Sequence, residues 1–215
     1  MEKMMMRILT VSLLTFATAL WSWPSHSQIG SSQAEWINAM RRGGYVIVLR
    51  HGATPTDQAD TDPLHLENVA QQRQLNDQGR EQARTMGAAM HKLNIPVGHV
   101  HTSAFNRAVE TGQLLGFGEV KPSLDFAEGG LVVTPVENNR RAQALRKIAA
   151  TMPPAGSNVI VVTHRPNILD AFGKEWFDVR EGEASIFAPD GTGGYKLIAR
   201  VQADEWNKLA QAGAN

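Results

Sequence analysis

The chain has 215 residues, with 21 basic and 21 acidic side chains, zero formal net charge and no cysteine. That length supports one domain with a substantial core. Balanced charge provides no basic field for nucleic acid, and the lack of cysteine excludes disulfides, thiolate zinc sites and cysteine nucleophiles.

Lys3 and Arg7 precede Ile8 to Leu20, thirteen residues without a charge, and small residues follow at Ser25 and Ser27. This layout predicts a secretory signal over residues 1–27, cleaved after Ser27, and a single domain over 28–215. Thirteen apolar residues are too few to span a bilayer, which takes about 20. The expectation is an exported, periplasmic protein with no stable membrane insertion after cleavage. Loss of Lys3, Arg7 and Glu2 would leave a net charge of −1.

Ser32 followed three residues later by Glu35 predicts a capped helix to about Arg42. Tyr45 to Leu49 is a short apolar run, punctuated before by Gly43-Gly44, and reads as a buried strand. It ends in Arg50-His51-Gly52. A buried strand ending this way presents a cation and an imidazole at the carboxyl edge of a sheet, where open α/β sheets bind ligands. Arginine fits phosphate with a planar fork of donors. Histidine becomes a nucleophile once a neighbour fixes its tautomer.

Residues 53–75 form a long polar loop, a length that marks a functional or mobile segment. Its Asp57, Asp60 and Asp62 lack the glycine and distal glutamate of a calcium loop and read as a solvated acidic stretch. Asn76 caps a helix from Asp77 to about Leu93, with Ala83, Met86, Met90 and Leu93 on its apolar face. Val97 to Thr102 reads as the second strand, and Phe105 to Leu115 as a helix ended near Gly116 and Gly118. Thr134-Pro135-Val136-Glu137 opens a helix to about Ala150, with Glu137 as the capping-box glutamate.

Asn158 to Thr163 is a strongly apolar strand followed by His164. Ala184 to Ala188 and Tyr195 to Val201 read as strands joined at Asp190-Gly191, before a terminal helix over Ala203 to Ala212. The alternation favours a largely parallel sheet with helices on both faces. His99 and His101 share one face of a strand, but no neighbouring cysteine or carboxylate completes a zinc set. Trp36, Trp176 and Trp206 read as core or helix anchors.

Four segments in this order resemble the histidine phosphatase superfamily, which has the phosphoglycerate-mutase-like fold. They are Leu49-Arg50-His51-Gly52-Ala53-Thr54, the stretch from Leu75 to Ala83, Thr102 to Thr111 with its Arg-Ala-x-x-Thr, and Val161-Val162-Thr163-His164. The resemblance covers residues 45 to about 170. It implies a three-layer α/β/α sandwich and chemistry needing no metal and no cofactor.

By the same resemblance His51 is the phosphorylated nucleophile. Arg50, Arg107 and His164 bind the phosphoryl group, Thr54 helps, and Glu128 is the proton donor. Relatives often carry asparagine six residues beyond the nucleophile, where this chain has Asp57, and no role follows for it. Glu137 is the rival acid. The implied activity is metal-independent hydrolysis of a phosphomonoester on a small phosphorylated substrate. The alternatives are a non-catalytic phosphate-binding module, a mutase-type phosphoryl transfer and a phosphohistidine phosphatase. Sequence assigns neither a substrate nor an oligomeric state.

Overall fold

A computed structural model describes residues 35–129 and 133–212. The predicted signal over 1–27 and the Ser32 cap lie outside the described residues, as does the stretch 130–132.

The first helix, α1, is described over 35–41 and leads through Gly43-Gly44 into β1 (Val46–Arg50). After the long loop come α2 (Asp77–Lys92), β2 (Val97–Ser103), α3 (Asn106–Leu114) and β3 (Val120–Ser123). The chain continues through α4 (Pro135–Ala149), β4 (Asn158–Thr163), α5 (Arg165–Phe172), β5 (Ala184–Pro189), β6 (Tyr195–Val201) and α6 (Glu205–Ala212). The strands form one six-stranded sheet in the order β3-β2-β4-β1-β5-β6. Its first four neighbours are parallel, and β5 and β6 close one side as an antiparallel pair.

Strand periodicity divides the core into two layers. Ile47, Leu49, Ile160 and Val162 face α1, α2, α3 and α6, packing on Met40, Met86, Met90, Leu115 and Trp206. Val46, Val48, Val159 and Val161 face α4 and α5, packing on Leu145, Ala149, Ile168 and Phe187. The three-layer α/β/α sandwich is therefore the observed architecture. Trp206 is fully buried edge-on to Trp36, with ring centroids 6.5 Å apart, and Trp176 lies in the second layer.

Local capping follows the sequence. Asn76 Oδ1 accepts from Gly79 N at 2.8 Å, and Thr134 Oγ1 from Glu137 N at 3.2 Å. The box at Thr134 is half made, because the Glu137 carboxylate turns to Arg140 and Arg141 instead of returning to the cap. Two elements escape the pattern reading. Strand β3 is four residues long and interrupted by Pro122, and α5 is a short helix opening on Arg165-Pro166. Among the described residues no helix is long and apolar enough to cross a membrane.

Candidate active site

Register converges the motifs. Strands β1 and β4 are parallel neighbours pairing Arg50 with Thr163, and His51 N continues the ladder to Thr163 O at 3.0 Å. His51 and His164 therefore leave adjacent strands at one carboxyl edge. Strand β2 pairs with β4 on its other side, which brings Ser103 and the start of α3 to the same edge. A single turn of 3-10 helix (Leu124–Phe126) after β3 then delivers Glu128.

The loop after His51 is braced on two helices. Thr111 Oγ1 accepts from Gly52 N at 3.1 Å and donates to Arg107 O at 2.7 Å, so the threonine of the third motif ties α3 to the chain after His51. Gln82 Oε1 accepts from Ala53 N at 3.0 Å. Gly52 and Gly79 meet backbone to backbone. A Cβ on Gly79 would lie 2.2 Å from Ala53 O, and one on Gly52 2.6 Å from Gly79 O. Only glycine permits that approach.

His51 is 1% exposed, and its Nδ1–H donates to Gly52 O at 2.8 Å. This fixes the tautomer and leaves the Nε2 lone pair unengaged among the described residues. Burial first, then the charges of His164 and Arg107, hold its pKa well below the usual 6.5, so the ring is neutral at neutral pH. His164 is also fully buried, and burial followed by Arg107, Arg73 and Arg50 keeps it neutral too. The two rings lie 5.1 Å apart.

Ser103 Oγ accepts from Phe105 N at 3.1 Å and lies 2.7 Å from His164 Nε2. A serine O–H donating to Nε2 places the remaining proton on Nδ1, which is 3.5 Å from Glu128 Oε1. His164 thus offers an N–H to the site without carrying charge.

The arginines are already engaged. Arg50 Nη1 donates to Val179 O at 2.8 Å, and Nη2 to Glu181 Oε1 at 3.3 Å. Arg107 is fully buried, with its guanidinium 4.4 Å above the Phe105 ring. Its Nη1 donates to Asp60 Oδ1 at 2.9 Å and its Nη2 to Glu128 Oε1. A buried guanidinium without partners would cost several kcal/mol, on the order of the penalty for any buried lone charge. The two carboxylates provide that compensation.

The structure brings five of the six residues named from sequence together at one sheet edge: Arg50, His51, Arg107, Glu128 and His164. Thr54 differs. It is buried nearby, but its hydroxyl donates to Glu181 Oε1 at 2.9 Å, and its N–H points to Glu181 Oε2 at 3.4 Å. Thr54 holds a carboxylate rather than presenting a free hydroxyl, because Glu181 arrives from the loop before β5.

Asp60 also departs from its solvated reading. It accepts from Arg73 N at 2.9 Å as well as from Arg107. Asp57 is exposed, in keeping with its lack of an assigned role. Glu137 is bound by Arg140 and Arg141, which hold its carboxyl down at about 2. It is therefore ionised throughout the physiological range and has no proton to give. Among the described residues no three His, Asp or Glu side chains gather as metal ligands.

Sequence reasoning also passed over Arg73, Ser103 as a tautomer anchor, and Glu181. Buried polar atoms normally have partners. Here four buried nitrogens without one, Nε of Arg50, Arg73 and Arg107 and Nδ1 of His164, belong to this single site. All four are N–H donors, the complement of an oxyanion with several lone pairs.

The comparisons agree with this geometry. The family model "Histidine phosphatase superfamily (branch 1)" matches residues 46–131, which hold His51, Arg107 and Glu128. No curated protein matches the chain in sequence. Among solved structures, the protein histidine phosphatase SixA complexed with tungstate is similar at 18% identity and a TM-score of 0.52, covering 75% of this chain and 98% of its own. A phosphoserine phosphatase mutant from Entamoeba histolytica in complex with phosphoserine matches at 15% and 0.51, covering 74% and 97%. YhfR of Bacillus stearothermophilus matches at 16% and 0.51, covering 71% and 94%. With the sheet order, the converging motifs and the family match in agreement, this chain has the fold of these phosphatases and is similar to the histidine phosphatase superfamily over residues 46–131.

Proposed function

We propose that the protein hydrolyses a phosphomonoester through a phosphohistidine on His51. The observation that carries this reading is the His51 tautomer. Gly52 O takes the Nδ1 proton, burial keeps the ring neutral, and Nε2 is left as a nucleophile beside a cluster of N–H donors.

The lone pair of Nε2 attacks phosphorus in line, and the bond from phosphorus to the ester oxygen breaks. Arg50, Arg107 and His164 Nδ1–H stabilise the equatorial oxygens. Glu128 in its acid form gives a proton to the leaving alkoxide. Water then attacks phosphorus, the P–N bond breaks, and Glu128 takes the proton from that water. Inorganic phosphate leaves, His51 is neutral again and Glu128 carries its proton once more. No step uses a metal ion.

The substrate is a small phosphorylated molecule. Two similar folds support this class, a protein histidine phosphatase and a phosphoserine phosphatase bound to phosphoserine. Glu128 at the site favours an oxygen-linked phosphate, since a nitrogen-linked one leaves with less acid help. The apolar leader at Ile8 to Leu20 supports action outside the cytoplasm, in the periplasm.

Hydrolysis of p-nitrophenyl phosphate by the purified protein in EDTA tests the reading. Activity that survives EDTA and is lost in His51→Ala, with phosphate retained on wild type alone after an alkaline quench, supports it. Full activity in His51→Ala, or activity abolished by EDTA, overturns it.

A further inference from the structure

Glu128 stands at the end of a short segment that follows the turn of 3-10 helix, with no regular element of its own to orient it. What holds it comes from α4, α5 and the end of β4. Arg141, on α4 and only 7% exposed, donates from Nη1 to Ala127 O at 2.9 Å and to Glu128 O at 3.2 Å. Asn167 Nδ2, on α5, donates to Ala127 O at 2.9 Å. Thr163 Oγ1 donates to Phe126 O at 2.7 Å. Three consecutive carbonyls, of Phe126, Ala127 and Glu128, are thereby pinned.

Arg141 is in turn aimed by its own helix. Its Nε donates to Glu137 Oε1 at 2.9 Å, one turn back along α4. The same carboxylate is gripped by Arg140, which also reaches Asp125 Oδ1 at 2.6 Å, just before the pinned carbonyls. The carboxylate first weighed as a rival acid thus braces the guanidinium that fixes the backbone of Glu128.

We infer that Arg141, braced by Glu137, is the positioning residue for the proton donor, setting where the Glu128 carboxyl meets the leaving oxygen. The inference rests on the reading of Glu128 as the acid. Arg141 does not touch substrate. Its influence runs through the Glu128 backbone, so it falls on the step that needs the proton.

A proton donor matters most when the leaving group is a poor one. The test compares kcat/KM for an alkyl phosphate and for p-nitrophenyl phosphate in wild type, Glu128→Gln, Arg141→Met, Arg141→Lys and Glu137→Gln. Glu128→Gln should lose on the order of 10²-fold more on the alkyl ester than on the aryl ester. Arg141→Met should shift the same ratio roughly tenfold, Arg141→Lys less, and Glu137→Gln by about threefold, on the same scale of acid catalysis.

A purely structural role for Arg141 would lower both substrates alike. Equal losses in Arg141→Met and Glu137→Gln, with the bias of Glu128→Gln intact, overturn the inference alone. No bias in Glu128→Gln overturns the acid reading and the inference with it. If Arg141→Met does not fold, Glu137→Gln, at a half-exposed helix surface, carries the same test.

Discussion

His51 and His164 face each other with ring centroids 5.1 Å apart and planes inclined by 62°, each imidazole fully buried and uncharged. Their separation follows from the parallel register of β1 and β4, which pairs the residues just before them. One ring keeps a lone pair toward the site and the other an N–H, although both are neutral imidazoles. The difference comes from their partners, a carbonyl at His51 Nδ1 and a hydroxyl at His164 Nε2.

This pair sets a pH dependence. Both folded pKa values lie below the unfolded value near 6.5, so below that pH the unfolded chain binds more protons than the folded one. Stability should be full above about pH 6.5 and fall as the pH drops below it, until the folded pKa values are reached. Thermal melts from pH 8 down to 5 should show this decline, with a shallower slope in His164→Asn. The acid limb of kcat/KM should lie below pH 6.5, because His51 keeps its lone pair there.

Arg107→Lys should be a severe change despite conserving charge. A single ammonium cannot bridge Asp60 and Glu128 in the way a planar fork does. We expect kcat/KM to fall on the order of 10²-fold, as for loss of one donor to developing charge. Steady-state kinetics with an aryl phosphate measures it.

Arg73 has a buried Nε without a partner, and its charge acts on both Arg50 and His164. Its backbone N–H and C=O contact Asp60 and Arg107, and these contacts persist whatever its side chain. Arg73→Gln should therefore leave the loop in place and remove a cation. The expected outcome is a KM raised roughly tenfold, the scale of one charge-assisted hydrogen bond, with the melting temperature unchanged.

Gly79→Ala should damage stability and activity together. Its Cβ would press on Ala53 O and Ala53 N, which are backbone atoms and cannot rotate away. A loss of about 1–3 kcal/mol is the usual scale for overpacking. Urea denaturation would report it, and a parallel drop in kcat would show that the loop after His51 moved. By contrast Gly44→Ala meets no atom within 4 Å, and its cost comes from its left-handed backbone alone.

Residues whose chemistry is local were legible in sequence. Arg50 and His51 follow a run that can only be a buried strand, and Arg107 opens a helix just beyond another. The caps at Asn76 and Thr134 are equally local. Glu181 was not legible, since it meets Arg50 across more than a hundred residues and belongs to no motif. Asp60 and Arg73 sit in a loop without period, where nothing in the residue order says which side chain turns inward. Strand β3 and helix α5 are too short for periodicity to register, and their prolines argue against regular structure. The Thr54 hydroxyl meets the same long-range partner, Glu181, which no local pattern announces.

The carboxylates of Glu181 and Asp60 give the pocket a resident set of counterions. An incoming phosphate meets guanidinium groups that are already neutralised, so its capture is an exchange of one oxyanion for another on Arg50 and Arg107. Such an exchange releases little net charge to solvent and is only weakly screened by salt. It also has a return path: when the ester bond is gone, the same two carboxylates stand ready to reclaim their arginines and displace the product.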